Sequence, residues 1–179
     1  MNSKLFKSVL ERQGLLAETN INPQITEWLE TNGFFKAPAS TRFHGTDEGD
    51  LYRHSELVAR YLQEYTNRLC LKWTRPCSPY VVGLFHDLCK IDAYLPAGDS
   101  ASGSWEYNKT QLLKGHGDKS VMLLSQFMTL TEEEMLCIRY HMGAYEKDDW
   151  EGYDLAIRRY PNVLYTHTAD MAASKIDNT

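Results

Sequence analysis

The stretch Tyr80-Val81-Val82-Gly83-Leu84-Phe85-His86-Asp87-Leu88-Cys89-Lys90-Ile91 is nearly apolar all round, and an adjacent histidine and aspartate interrupt it. Pro76 and Pro79 precede it, so the pattern predicts a central helix over 80–91. Upstream, Leu51, His54, Val58, Tyr61, Leu62 and Tyr65 fall on one face of a helix predicted over 51–69. Downstream, helices are predicted over 116–128, 131–142 and 162–175, with Thr131-Glu132-Glu133-Glu134 reading as a capping box. Toward the start, Leu5, Phe6, Val9 and Leu10 recur at helical spacing before Gly14. Asn22-Pro23 then reads as a cap and first helical position, followed by the stripe Ile25, Trp28 and Leu29 and a stop at Gly33. The segments 34–49 and 92–115 are predicted as connections, the second long enough to be a lid or binding loop and to hold a short hairpin. No alternating β-branched run is long enough for a sheet, so the class is all-α.

A chain of 179 residues with 42% hydrophobic side chains can bury one sizeable core. No apolar run approaches the roughly 20 residues of a transmembrane helix, and the first residues carry no apolar leader, so a cytoplasmic protein without a membrane partner is expected. Cys70, Cys77, Cys89 and Cys137 are widely spaced with no C-x-x-C pair, which predicts free thiols and no thiolate metal site. Nineteen basic against 24 acidic residues give a net charge of −5, which disfavours a partner made of long duplex nucleic acid. A nucleotide or short oligonucleotide in a locally positive cleft stays compatible with that charge.

The polar residues on apolar helix faces point to chemistry. His54 lies one turn from Leu51 and Val58, His141 follows Ile138 by three, and Asp170 sits among Leu164, Met171 and Ala172. An unpaired buried carboxylate or imidazole costs several kcal/mol, so several facing inward need a shared partner. A cation satisfies them together. His54, His86, Asp87, His116, His141 and Asp170 are the candidate ligands, a sulfur-free set suited to Mn, Fe, Co, Ni or Zn. Six donors exceed the needs of one open tetrahedral ion and suit two divalent ions sharing a carboxylate.

The order His54, His86-Asp87, Asp170 resembles the signature of the HD-domain superfamily of metal-dependent phosphohydrolases. Gly83 to Lys90 is similar to its helix carrying HD with a lysine three residues on, and His116 and His141 are similar to the extra ligands of binuclear members. Ala37-Pro38-Ala39-Ser40-Thr41-Arg42-Phe43-His44-Gly45 and His167-Thr168-Ala169-Asp170 extend the likeness, which covers about Ile25 to Ser174 and looks like small stand-alone hydrolases of bacterial and phage genomes. One departure is Gly49-Asp50-Leu51, where relatives tend to have a glycine pair. The resemblance implies an HD-type helical bundle over 22–179, with a metal site at its centre and a helical extension over 1–21.

The resemblance further implies one ion on His54, His86, Asp87 and Asp170 and a second on His116 and His141, with Asp87 bridging. The implied activity is hydrolysis of a nucleotide or oligonucleotide phosphoester by a metal-bridging hydroxide, since a bound ion lowers the pKa of water from about 15.7 to about 7. Asp87 and Lys90 are the candidate catalytic residues; Lys90 shares the face of His86 and Asp87 and either contacts phosphate or snorkels from a helix end. Lys119 and Arg139 hold a phosphate or merely complement Asp118 or Glu134. His167 orients a ligand, donates a proton or packs; His44 flanks the cleft, and Tyr145 and Trp105 stack on a base or pack. Two alternatives share the donor set: a diiron oxygenase of the same fold, and a non-catalytic nucleotide-binding module.

Overall fold

A computed structural model describes residues 1–40, 45–97, 104–143 and 149–177. Its axis is the pair α4 (Asp50–Leu69) and α5 (Ser78–Phe85). α4 turns Leu51, His54, Val58 and Leu62 inward, as the apolar stripe predicts. α5 is buried almost throughout. The two cross so closely that a Cβ on Gly83 would lie 2.3 Å from Ala59 Cα and 2.5 Å from Ala59 N. Neither atom can yield without moving a helix. Gly83→Ala is therefore expected to cost about 3 kcal/mol of unfolding free energy by overpacking, measurable in a urea titration.

Around this pair stand α1 (Ser3–Arg12), α2 (Leu15–Glu18), α3 (Ile25–Thr31), α6 (Gly117–Leu124), α7 (Glu132–Arg139), α8 (Trp150–Arg159) and α9 (Asn162–Lys175). α9 packs on both α4 and α7, and α6 on α7. α1 drives Phe6 and Leu10 into the cluster that holds Phe85. Phe6 meets the Phe85 ring edge-on at 6.3 Å and Phe34 at 6.2 Å.

The helix expected over 80–91 stops early. The last α-type bond into the histidine runs from His86 N–H to Val82 O, Asp87 takes φ −100° and ψ 19°, and a 3-10 turn follows over Leu88–Asp92. In a straight helix consecutive side chains diverge by about 100°. The turn at Asp87 replaces that divergence with convergence on one point. Similarly, α7 ends at Arg139, leaving His141 in the turn beyond, and α6 ends at Leu124. Asn22 does not cap α3 directly; its Oδ1 accepts from Gln24 N–H at 3.0 Å in a turn that precedes Ile25. The capping box is formed as expected, with Glu134 N–H donating to Thr131 Oγ1 at 3.2 Å and Thr131 N–H to Glu134 Oε2 at 2.9 Å.

The connection after the 3-10 turn holds a two-stranded antiparallel hairpin, β1 (Tyr94–Pro96) on β2 (Trp105–Tyr107), in the register Tyr94 to Tyr107. α8 is a helix beyond those predicted from the sequence; Tyr153, Ala156, Ile157 and Tyr160 pack on the core, and Asp149 caps it by accepting from Gly152 N–H at 3.0 Å. Among the described residues no helix is long and apolar enough to cross a membrane, and no cysteine is in a disulfide.

Candidate metal centre

Five segments deliver donors to one point in the helical bundle. His54 comes from the N-terminal part of α4, His86 and Asp87 from the end of α5, and Asp170 from α9. His141 comes from the turn after α7 and His116 from the residue that opens α6. α6 and α7 meet closely enough that a Cβ on Gly117 would lie 2.3 Å from Arg139 O, which brings His116 alongside His141. His54, His86, Asp87 and His141 are each no more than 1% exposed, and Asp170 is 5% exposed.

The donors form overlapping groups. In the first, His54 Nε2 lies 3.2 Å from His86 Nε2 and 3.1 Å from Asp170 Oδ1, with Asp87 Oδ2 at 3.6 Å. In the second, Asp87 Oδ1 lies 3.4 Å from His141 Nε2 and 3.8 Å from His116 Nδ1. Ligands spaced around an ion at tetrahedral bond lengths sit roughly 3.3–3.6 Å apart. Asp87 faces one group with each oxygen, as a bridging carboxylate must.

Proton accounting leads to the same assignment. A carbonyl only accepts, so His86 donates Nδ1–H to Gly83 O at 2.9 Å and His141 donates Nδ1–H to Ile138 O at 2.7 Å. In the neutral tautomer each ring then presents an Nε2 lone pair to the centre. His141 Nε2 is buried with no hydrogen-bond partner. Its 3.4 Å separation from Asp87 Oδ1 exceeds an ordinary N–H···O bond. Lone pairs facing lone pairs and carboxylates in a buried space call for a cation. The chain thus carries a centre with capacity for two divalent ions.

The electrostatics are those of a proton-hungry cluster. Burial pushes the His86 imidazole down to about 4, against the pull of Asp87 and Asp170. Hydrogen bonding to Asp87 and Cys89 raises His116 to about 10. Burial disfavours the Asp87 carboxylate, but the Lys90 ammonium and the surrounding imidazoles outweigh it and hold the group well below its usual range. Asp170 is likewise held low despite burial, chiefly by its hydrogen bond with His54. The charge that histidine protons supply here is charge a divalent cation would replace.

Above the donors opens a cleft of about 310 Å³, with His54, Lys90, His116 and Asp170 in its floor and Tyr94 and Lys175 in its walls. Lys90 sits 2.6 Å from Asp87 Oδ2. The other sequence candidates are placed elsewhere. Lys119 is buried, donating to Asp92 and, at 2.8 Å, to Gln111 Oε1, so it ties the 3-10 turn to the hairpin's far side and does not line the cleft. Arg139 pairs with Asp118 at 3.3 Å on the outer face of α6 and α7. His167 donates Nδ1–H to His141 O at 2.7 Å, a contact that positions the ligand's backbone. Trp105 lies on β2, away from the lining. His44 and Tyr145 lie outside the described residues.

Comparison with family models, with curated proteins and with solved structures finds no match to this chain. The metal centre therefore rests on its own geometry, which is consistent with an HD-like fold. One expectation from the sequence needs correcting. The donor groups are not free of sulfur: Cys89 joins Asp87 and His116 in one of them, with Sγ 3.4 Å from His116 Nδ1. The absence of a C-x-x-C pair hid it, because the 3-10 turn that aims Cys89 inward was read as continuing helix. Tyr94 and Lys175, which line the cleft, carried no signal in the sequence beyond their types.

Proposed function

We propose that the protein is a metal-dependent phosphohydrolase acting on a nucleotide or on the end of a short oligonucleotide. The observation that carries this reading is Asp87: one buried carboxylate shared between two donor groups, with the Lys90 ammonium beside it at the floor of a cleft. His54, His86 and Asp170 would hold one divalent ion with Asp87, and His116 and His141 a second. Bound there, the ion pair supplies a water-derived nucleophile near neutral pH and neutralises phosphoryl oxygens.

The chain's own groups account for the rest. Lys90 is kept charged, since the Asp87 carboxylate more than offsets the burial that opposes its ammonium. It lies at the cleft, where its ammonium can donate to a non-bridging phosphoryl oxygen as charge develops. Lys175 adds a second cationic side chain to the wall, and Tyr94 offers an aromatic face for a base. A space of about 310 Å³ is at the lower end for a small-molecule site.

The test is incubation of the protein with manganese, cobalt or zinc and a panel of nucleoside mono- and diphosphates, cyclic and linear dinucleotides and short oligonucleotides. Turnover that disappears in His86→Ala supports the reading; no turnover with any metal overturns it. Lys90→Met is expected to lower kcat/KM roughly 100-fold, the loss typical of one transition-state donor, while metal content per chain is unchanged. A fall in metal content instead would assign Lys90 to the centre's assembly.

A further inference from the structure

We infer that Cys89 is a sulfur ligand of the ion held by Asp87, His116 and His141, so that the two ion positions differ in kind: one nitrogen and oxygen only, the other with a thiolate that favours zinc or cobalt over manganese. This rests on the two-ion reading above.

The geometry is specific. Cys89 Sγ lies 3.4 Å from His116 Nδ1 and 3.9 Å from Asp87 Oδ1. A tetrahedral ion with bonds of about 2.0–2.1 Å to nitrogen and 2.3 Å to sulfur places those ligands roughly 3.6 Å apart. Cys89 is 2% exposed, and its backbone N–H donates to Ser120 Oγ at 2.9 Å. Ser120 lies one turn into α6, the helix that His116 opens, so the thiol and its imidazole neighbour are registered by the same helix. The buried, unpartnered Nε2 of His141 lies 3.4 Å from the same Asp87 Oδ1, independently of the cysteine. The other group contains no sulfur: His54, His86 and Asp170 with the second oxygen of Asp87.

Ion binding at the mixed position replaces the thiol proton, which leaves to solvent, by a metal–sulfur bond. Thiolate is a soft donor and prefers zinc and cobalt, whereas imidazole and carboxylate accept manganese as well. The protein should therefore load zinc first, at the Cys89 position, and tolerate manganese at the other.

Metal-free protein titrated with cobalt(II) tests this. The expected result is two equivalents bound, with a near-ultraviolet thiolate-to-cobalt charge-transfer band that saturates at one equivalent, is lost in Cys89→Ser, and persists in Cys70→Ser. Zinc affinity at one of two positions should fall at least 10-fold in Cys89→Ser, with manganese affinity unmoved. Visible cobalt bands without a charge-transfer band would overturn the sulfur ligand and leave the two-ion centre standing; no cobalt bound would overturn both. Should Cys89→Ser fail to fold, zinc-edge absorption of the wild-type protein decides: a sulfur scatterer at about 2.3 Å supports the inference, and a shell of nitrogen and oxygen alone overturns it.

Discussion

Asp87→Asn is expected to reduce metal content from two ions per chain to none after gel filtration. Each carboxylate oxygen faces a different donor group, Oδ2 toward His54 and His86 and Oδ1 toward His141 and His116. A neutral amide offers one weak oxygen ligand and cannot serve both. It also leaves the Lys90 ammonium, 2.6 Å from Oδ2 in the wild type, without the charge it neutralises and adjacent to any incoming cation. By linkage, an ion at 100 times its Kd stabilises the fold by about 2.7 kcal/mol per site. The rise in melting temperature on adding zinc should thus vanish in Asp87→Asn. Asp170→Asn touches only the group with His54 and His86 and should retain one ion. Two ions retained by Asp87→Asn would dismiss the shared carboxylate.

The second large effect lies away from the centre. Glu134 is fully buried, and its carboxylate is met by Arg75 Nε at 2.8 Å and Nη2 at 2.5 Å, by Ser78 Oγ at 2.8 Å and by Thr131 N–H at 2.9 Å. This network joins the segment before α5 to the start of α7, and so sets the distance between His86 and His141. Arg75→Ala strips the paired guanidinium from a buried carboxylate. Removing one partner of such a pair costs about 3–5 kcal/mol. A urea titration should show a loss of that size, and the same substitution in a Glu134→Gln background should cost at least about 1 kcal/mol less. Equal losses in both backgrounds would show that packing, not charge, is what Arg75 contributes.

The residues explain how far the sequence could be read. His54 stands out because a polar group on the apolar face of α4 violates periodicity, whereas Leu164 and Met171, the apolar neighbours the sequence sets beside Asp170, are exposed on α9. α4 is legible for the same reason, being long and periodic. The Thr131–Glu134 box was legible because its chemistry is local. What failed to show was non-local or aperiodic. Lys119 reads as a phosphate contact or a complement to Asp118 or Glu134, yet its partners Asp92 and Gln111 arrive from a connection whose path no spacing rule describes. Cys89 was discounted because sulfur ligands announce themselves in pairs, and here the companions are an imidazole and a carboxylate brought in by another helix. α8 carries its stripe on Tyr153, Ala156, Ile157 and Tyr160, apolar and aromatic residues diluted among charges. The change from α-helix to 3-10 turn at Asp87, which aims two ligands together, is a tertiary outcome that local propensity does not contain.

The donors of the group His54, His86 and Asp170 run from position 54 to position 170, so that group is complete only when α4, α5 and α9 have met. Closing those loops precedes any reward from the cation. The ion therefore acts late in folding, after the barrier. Its signature in a chevron plot is a lowered unfolding limb with the refolding limb unmoved. Loading the centre should lengthen the lifetime of the native protein without hastening its formation, and chelation should shorten that lifetime at once.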